Sequence, residues 1–130
     1  MRTIGLLVLL AGLLVAAAPA QAFTVMSCWN GTGQDWLEHP AKCTYSTDGR
    51  VAARLVNLKW RAWGERTATA TGRRIADRRR SDGSRRSSRT TVQVRRLVRC
   101  GDTAVYYQEI RFKTWSARYS TWRPLTVPRC

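Results

Sequence analysis

The sequence predicts an all-β domain, a small antiparallel sandwich or barrel carrying two disulfides. Three observations lead there. Apolar and polar residues alternate with period two in several short runs; turn signals separate those runs; and beyond residue 22 no stretch holds an amphipathic helical period for three turns. At the start, a single Arg2 precedes an uncharged apolar run, Ile4 to Ala18, which ends in Ala18-Pro19-Ala20 and Ala20-Gln21-Ala22. Fifteen apolar residues are short for a membrane span, and small residues suit cleavage, so residues 1–22 read as a secretory signal peptide. Residues 23–130 are enough for one domain and contain no second apolar span.

Along that domain a short helix is expected over Gln34–His39, ahead of Pro40. Val56, Leu58 and Trp60 share one face of a strand running to Arg61. Trp60 and Trp63 would face opposite sides of one continuous strand, unless the turn at Gly64 changes the geometry. Thr67 to Gly72 sets threonines on one face and small residues on the other. Val92, Val94 and Val98 alternate up to Cys100, with Arg96 breaking the apolar face. Tyr106, Ile110 and Phe112 share the next face, with Gln108 among them, while Tyr107, Glu109 and Arg111 point the other way. Turns are marked by Asp48-Gly49, Trp63-Gly64, Asp82-Gly83 and Cys100-Gly101-Asp102.

Cys28, Cys43, Cys100 and Cys130 all lie beyond the signal peptide, and an even count in an exported chain reads as two disulfides. Of the three possible pairings, Cys28–Cys43 with Cys100–Cys130 is expected, because each then ties a terminal segment to the domain. Intervening stretches of 14, 56 and 29 residues, with no Cys-x-x-Cys, argue against a zinc site and a redox pair. No metal and no cofactor are expected.

Charge is the strongest functional signal. The chain carries 23 Lys and Arg against 8 Asp and Glu. The segment 73–89 holds Arg73, Arg74, Arg78, Arg79, Arg80, Arg85, Arg86 and Arg89 beside Asp77, Asp82 and four serines, with Ile75 its only large apolar residue. So little apolar area predicts a flexible basic loop or long hairpin connection. Guanidinium forks bind phosphate, sulfate or carboxylate, and eight together would hold a polyanion in a salt-dependent, nearly sequence-blind way. The expected partner is an anionic envelope or extracellular polymer; the plain alternative is a solvated tether. No recognition helix points to sequence-specific nucleic acid, and no basic amphipathic helix points to membrane disruption.

Trp29, Trp36, Trp60, Trp63, Trp115 and Trp122 are expected mainly in the core. Trp115, Tyr119 and Trp122 beside Arg118 and Arg123 would also suit stacking on a sugar or base. Signals for catalysis are sparse: one histidine, His39, no nucleophile elbow, no phosphate loop and scattered acids. The catalytic alternative is a small ribonuclease using Glu109 as base, Arg111 as phosphate clamp and His39 as acid. Its plain counterpart is a surface ion pair and a loop histidine. A protein-binding or inhibitor module is the third option.

The stretch Leu55-Val56-Asn57-Leu58-Lys59-Trp60-Arg61-Ala62-Trp63-Gly64, followed by Ala68-Thr69-Ala70-Thr71-Gly72, resembles a pattern in small exported actinobacterial proteins of unknown function. These share a strand ending in Trp-x-x-Trp-Gly, a small-residue strand closing in Gly, then valine-rich strands before a Cys-Gly and a Tyr. Val92-Gln93-Val94, Cys100-Gly101 and Tyr106-Tyr107 keep that order here. The likeness covers about residues 51–112. It departs in the arginine tract, which lacks cysteines, and in the preceding Cys28–Cys43 region. It implies export and β structure, makes Trp60, Trp63 and Gly64 a strand end and its turn, and transfers no catalytic residue. The expectation is therefore a non-catalytic secreted protein, extracellular or envelope-associated.

Overall fold

A computed structural model describes residues 22–114 and 118–130. The signal-peptide reading, apart from Ala22, and Trp115 lie outside the described residues. Eight strands run in chain order: β1 (Phe23–Trp29), β2 (Gln34–Leu37), β3 (Cys43–Thr47), β4 (Arg50–Arg61), β5 (Thr67–Arg79), β6 (Arg85–Cys100), β7 (Ala104–Lys113) and β8 (Arg123–Pro124). They form one sheet in the order β2-β1-β7-β6-β5-β4-β3, with β8 also on β7. All pairings are antiparallel except β1 with β7, where Phe23 lies opposite Ala104 and Val25 opposite Tyr106. The sheet curls into a half-barrel, and the Cys28–Cys43 disulfide joins β1 to β3 across the opening. Cys100–Cys130 fastens the tail to the end of β6, so the expected pairing holds.

Period-two alternation sorts most strands correctly. Ala68 and Ala70 on β5, with Val92 and Val94 on β6, are fully buried, and their threonine and glutamine neighbours face out. In three places the expectation fails for a local reason. Gln34–Leu37 is a strand and not a helix, because Asn30 turns the chain back: its Oδ1 accepts from the backbone N–H groups of Thr32 and Gly33, and its amide donates to Asp35. On β4 a bulge between Val56 and Lys59, with Asn57 at φ 53°, changes the phase. Ala53 and Leu55 face the core before it and Leu58 after it, so Val56 is not on the Leu58 face. Gly72 lies under that bulge, where a Cβ would stand 2.7 Å from the Val56 carbonyl oxygen.

A second phase change reverses the expectation for Tyr107. Arg96 has φ 61° between the pairs Arg95–Glu109 and Leu97–Tyr107, and Tyr107 is fully buried beside Ile110 and Phe112. Its hydroxyl donates to the Glu65 carbonyl at 2.7 Å and accepts from the Gly64 N–H at 3.0 Å. The turn after β4, with Ala62 at φ 57° and Gly64 at φ 89°, brings Trp63 back beside Trp60, their ring centroids 4.8 Å apart. Both indoles find backbone acceptors, Trp60 at Pro40 and Trp63 at Thr24, as buried polar groups must. Across the curl Tyr45 packs on Phe112, and its hydroxyl donates to the Pro124 carbonyl.

Candidate anion-binding site

The segment 73–89 takes the second of its two expected forms, a long hairpin connection, and not that of an irregular loop. β5 and β6 continue through it as a ribbon: Arg73 lies opposite Arg89, Arg74 opposite Ser88, Ile75 opposite Ser87 and Arg79 opposite Arg85. Only 80–84 form a turn. There the Arg80 N–H donates to the Ser84 carbonyl, and Asp82 accepts from the hydroxyl and N–H of Ser84. Those bonds hold the Asp82 carboxyl below the usual range. A count of apolar residues does not show what supports the ribbon: it extends strands already paired within the sheet, and pairing resumes after a bulge between Ile75 and Arg79.

Alternation divides the arginines between two faces. On the outer face stand Arg73 with Arg89 and Arg79 with Arg85, two cross-strand pairs of like charge. Arg73 donates to the hydroxyl and carbonyl of Ser87, and Arg79 to the Gly83 carbonyl. The Nε of Arg85 is buried with no hydrogen-bond partner. On the core-facing side Arg74 donates to the Ala52 carbonyl at 2.9 Å, its guanidinium 6.0 Å from the Phe112 ring. Arg74, Arg78 and Arg86 line a cavity of about 450 Å³ with Ser88 and Thr114. An adjoining hollow of about 250 Å³ shares Arg74 and Thr114 and adds Phe112, Tyr119 and Arg123. Its contribution from the tail, Arg118 and Arg123, is brought close only by folding.

The outer row continues beyond the ribbon. Register places Lys113 beside Thr91, Arg111 beside Gln93 and Arg95 beside Glu109, while Lys59 and Arg61 flank Thr71 and Thr69 on the other edge. From Arg85 to Arg95 along β6 this spans about 33 Å at ~3.3 Å per residue. Its lower end is packed on aromatic rings. The Arg95 guanidinium stacks 4.0 Å from the Trp122 ring centroid, Arg111 sits 4.3 Å from both Trp122 and Tyr119, and Lys113 lies 4.8 Å from Tyr119. Trp122 and Tyr119 thus stack on the protein's own cations. Nearby acids are engaged: Glu109 accepts from Arg96 and Arg95, and Asp77 from Arg54. The hydrogen bond from Arg96, then those from Arg95, hold the Glu109 carboxyl below its usual range.

The three residues of the ribonuclease alternative do not form a cluster. Glu109 faces Arg95 and Arg96, Arg111 donates to Gln93, and exposed His39 packs against the Trp63 ring at 6.0 Å. Among the described residues no hydrogen bond joins any two of them, and no three His, Cys, Asp or Glu side chains gather as metal ligands. Also among the described residues, no helix is long and apolar enough to cross a membrane. Lys59, Arg61 and Lys113 are absent from the sequence-predicted site, although cations two apart in Lys59-x-Arg61 and Arg111-x-Lys113 carry the signal of a common strand face. No protein family, curated protein or solved structure matches this chain.

Proposed function

We propose that this is an exported, non-catalytic protein that adsorbs to an anionic polymer of the cell envelope or extracellular space. The observation that carries the reading is the outer row of cations from Arg79 and Arg85 through Arg73 and Arg89 to Lys113 and Arg111. A row on one side of a ribbon tracks an extended polyanion better than scattered charge does, and binding draws its free energy from released counterions. Side-chain contacts with Ser87, Gly83, Gln93, Trp122 and Tyr119 hold several of these cations in place, which lowers the ordering cost of each contact. Two disulfides suit an oxidising compartment. The test is retention of the oxidised protein on immobilised heparin and on cell-wall polymer over a salt gradient, with RNA integrity tracked in parallel. The reading predicts retention at low salt, steep release as salt rises and intact RNA. RNA cleavage that His39→Ala abolishes would replace it with the ribonuclease reading.

A further inference from the structure

The core-facing hollow is chemically unlike the outer row. Three arginines, Arg74, Arg78 and Arg86, line one cavity of about 450 Å³ with a single acid, Asp77, whose Oδ1 already accepts from Arg54 at 3.0 Å. Ser88 and Thr114 add hydroxyl groups to the same wall. Arg74 is anchored by its bond to the Ala52 carbonyl, and the side chains of Arg78 and Arg86 have no hydrogen-bond or ionic partner among the described residues. The adjoining hollow supplies the half-buried ring of Tyr119, above the core residue Phe112, and Arg123. A long polymer suits an extended row; a concave corner with clustered arginines and an aromatic ring beside it suits one compact group.

We infer that this corner is a second binding site, separate from the polymer surface, for a phosphate monoester. The phosphoryl group sits among Arg74, Arg78 and Arg86, and the organic part lies against the half-buried Tyr119 ring. A phosphate monoester brings close to two negative charges and three acceptor oxygens, which matches several guanidinium forks. A sulfate ester or a carboxylate brings only one charge against the same excess.

The experiment is calorimetric titration of the oxidised protein at physiological ionic strength with phenyl phosphate and, separately, inorganic phosphate. Two double variants are compared, Arg78→Gln with Arg86→Gln in the cavity and Arg73→Gln with Arg89→Gln on the outer face. Arg74 is left intact because it bonds the Ala52 carbonyl, and circular dichroism of both variants checks the fold. The expected result is one-to-one binding of phenyl phosphate, weakened tenfold or more by the cavity variant and less than twofold by the outer one. Inorganic phosphate binds at least threefold more weakly than the ester, because it leaves the Tyr119 ring unused. Equal weakening by both variants, or no saturable binding by the wild type, overturns the site. Equal affinity for the two ligands overturns the ester assignment. Polymer retention is read on the same proteins, so loss of that activity is distinguishable from loss of this one.

Discussion

Two halves of one hairpin are held by different forces. From Thr67 to Gly72 and from Thr90 to Arg95, β5 and β6 lie inside the sheet, with β4 on one edge and β7 on the other, and Ala68, Ala70, Val92 and Val94 close the core. β4 accompanies β5 only to Ile75, and β7 accompanies β6 only to Thr91. Beyond those points, among the described residues, the two strands pair only with each other, and arginine replaces the small and branched residues. The lower half owes its order to apolar burial and the upper half to strand pairing carried up from below, across a bulge between Ile75 and Arg79. Strand pairing begun in the sheet therefore supports a charged ribbon beyond it. Substitutions in the lower half should lower stability, and substitutions in the upper half should change binding while stability barely moves.

The largest effect is expected at Tyr107, on the stable side. Tyr107→Ala removes a fully buried ring and should cost about 3–5 kcal/mol. Tyr107→Phe keeps the ring but leaves the Gly64 N–H and the Glu65 carbonyl without their partner, for about 1–3 kcal/mol. Urea unfolding of both variants checks the order. A smaller loss for the alanine than for the phenylalanine variant would remove Tyr107 from the core account. Replacing Cys28 and Cys43 together by Ala opens the β1–β3 seam, and losing a closed loop of 15 residues should cost roughly 3 kcal/mol.

Glycine offers a sharper comparison. At Gly72 a Cβ would stand 2.7 Å from the Val56 oxygen and 2.8 Å from Leu58 Cδ2, whereas at Gly33 it would meet nothing within 4 Å. Gly72→Ala should cost about 1–3 kcal/mol by displacing the bulge. Gly33→Ala should stay within about 0.5 kcal/mol. Thermal melts that rank the two equally would mean the bulge is not held by close packing.

The smallest effect is electrostatic. The Glu109 carboxyl has its folded pKa depressed by the hydrogen bonds from Arg96 and Arg95. Its contribution to stability is therefore complete above the unfolded value of about 4.3 and is lost as pH falls through the lower folded value. Glu109→Gln should flatten the acid limb of a plot of Tm against pH and leave the neutral region little changed, because the pair is partly exposed and screened.

Much of the lower half is legible in the residues. Alternation identifies the core faces of Thr67–Gly72 and of Val92–Val94, and terminal tethering identifies both disulfides. What alternation cannot reveal is a change of its own phase. Asn57 and Arg96 each adopt positive φ within a strand, and nothing in an arginine's chemistry announces that. Alternation therefore assigns Tyr107 and Val56 to the wrong faces. The arginines of segment 73–89 are visible, but not their division between two faces or the row's continuation into Arg61, Arg95 and Arg111, because composition does not report which strands pair. The tail's approach to Arg74 through Arg123 and Tyr119 is a tertiary juxtaposition with no local signature.

The most direct test of the central claim is the salt dependence of polymer binding by a variant carrying Arg73→Gln, Arg79→Gln, Arg85→Gln and Arg89→Gln. Affinity for heparin is measured against ionic strength beside the wild type, with urea unfolding of both. The account predicts a clearly shallower salt slope and much weaker binding for the variant, with unfolding free energy within about 1 kcal/mol of the wild type. An unchanged slope, or a variant that no longer folds, would contradict it.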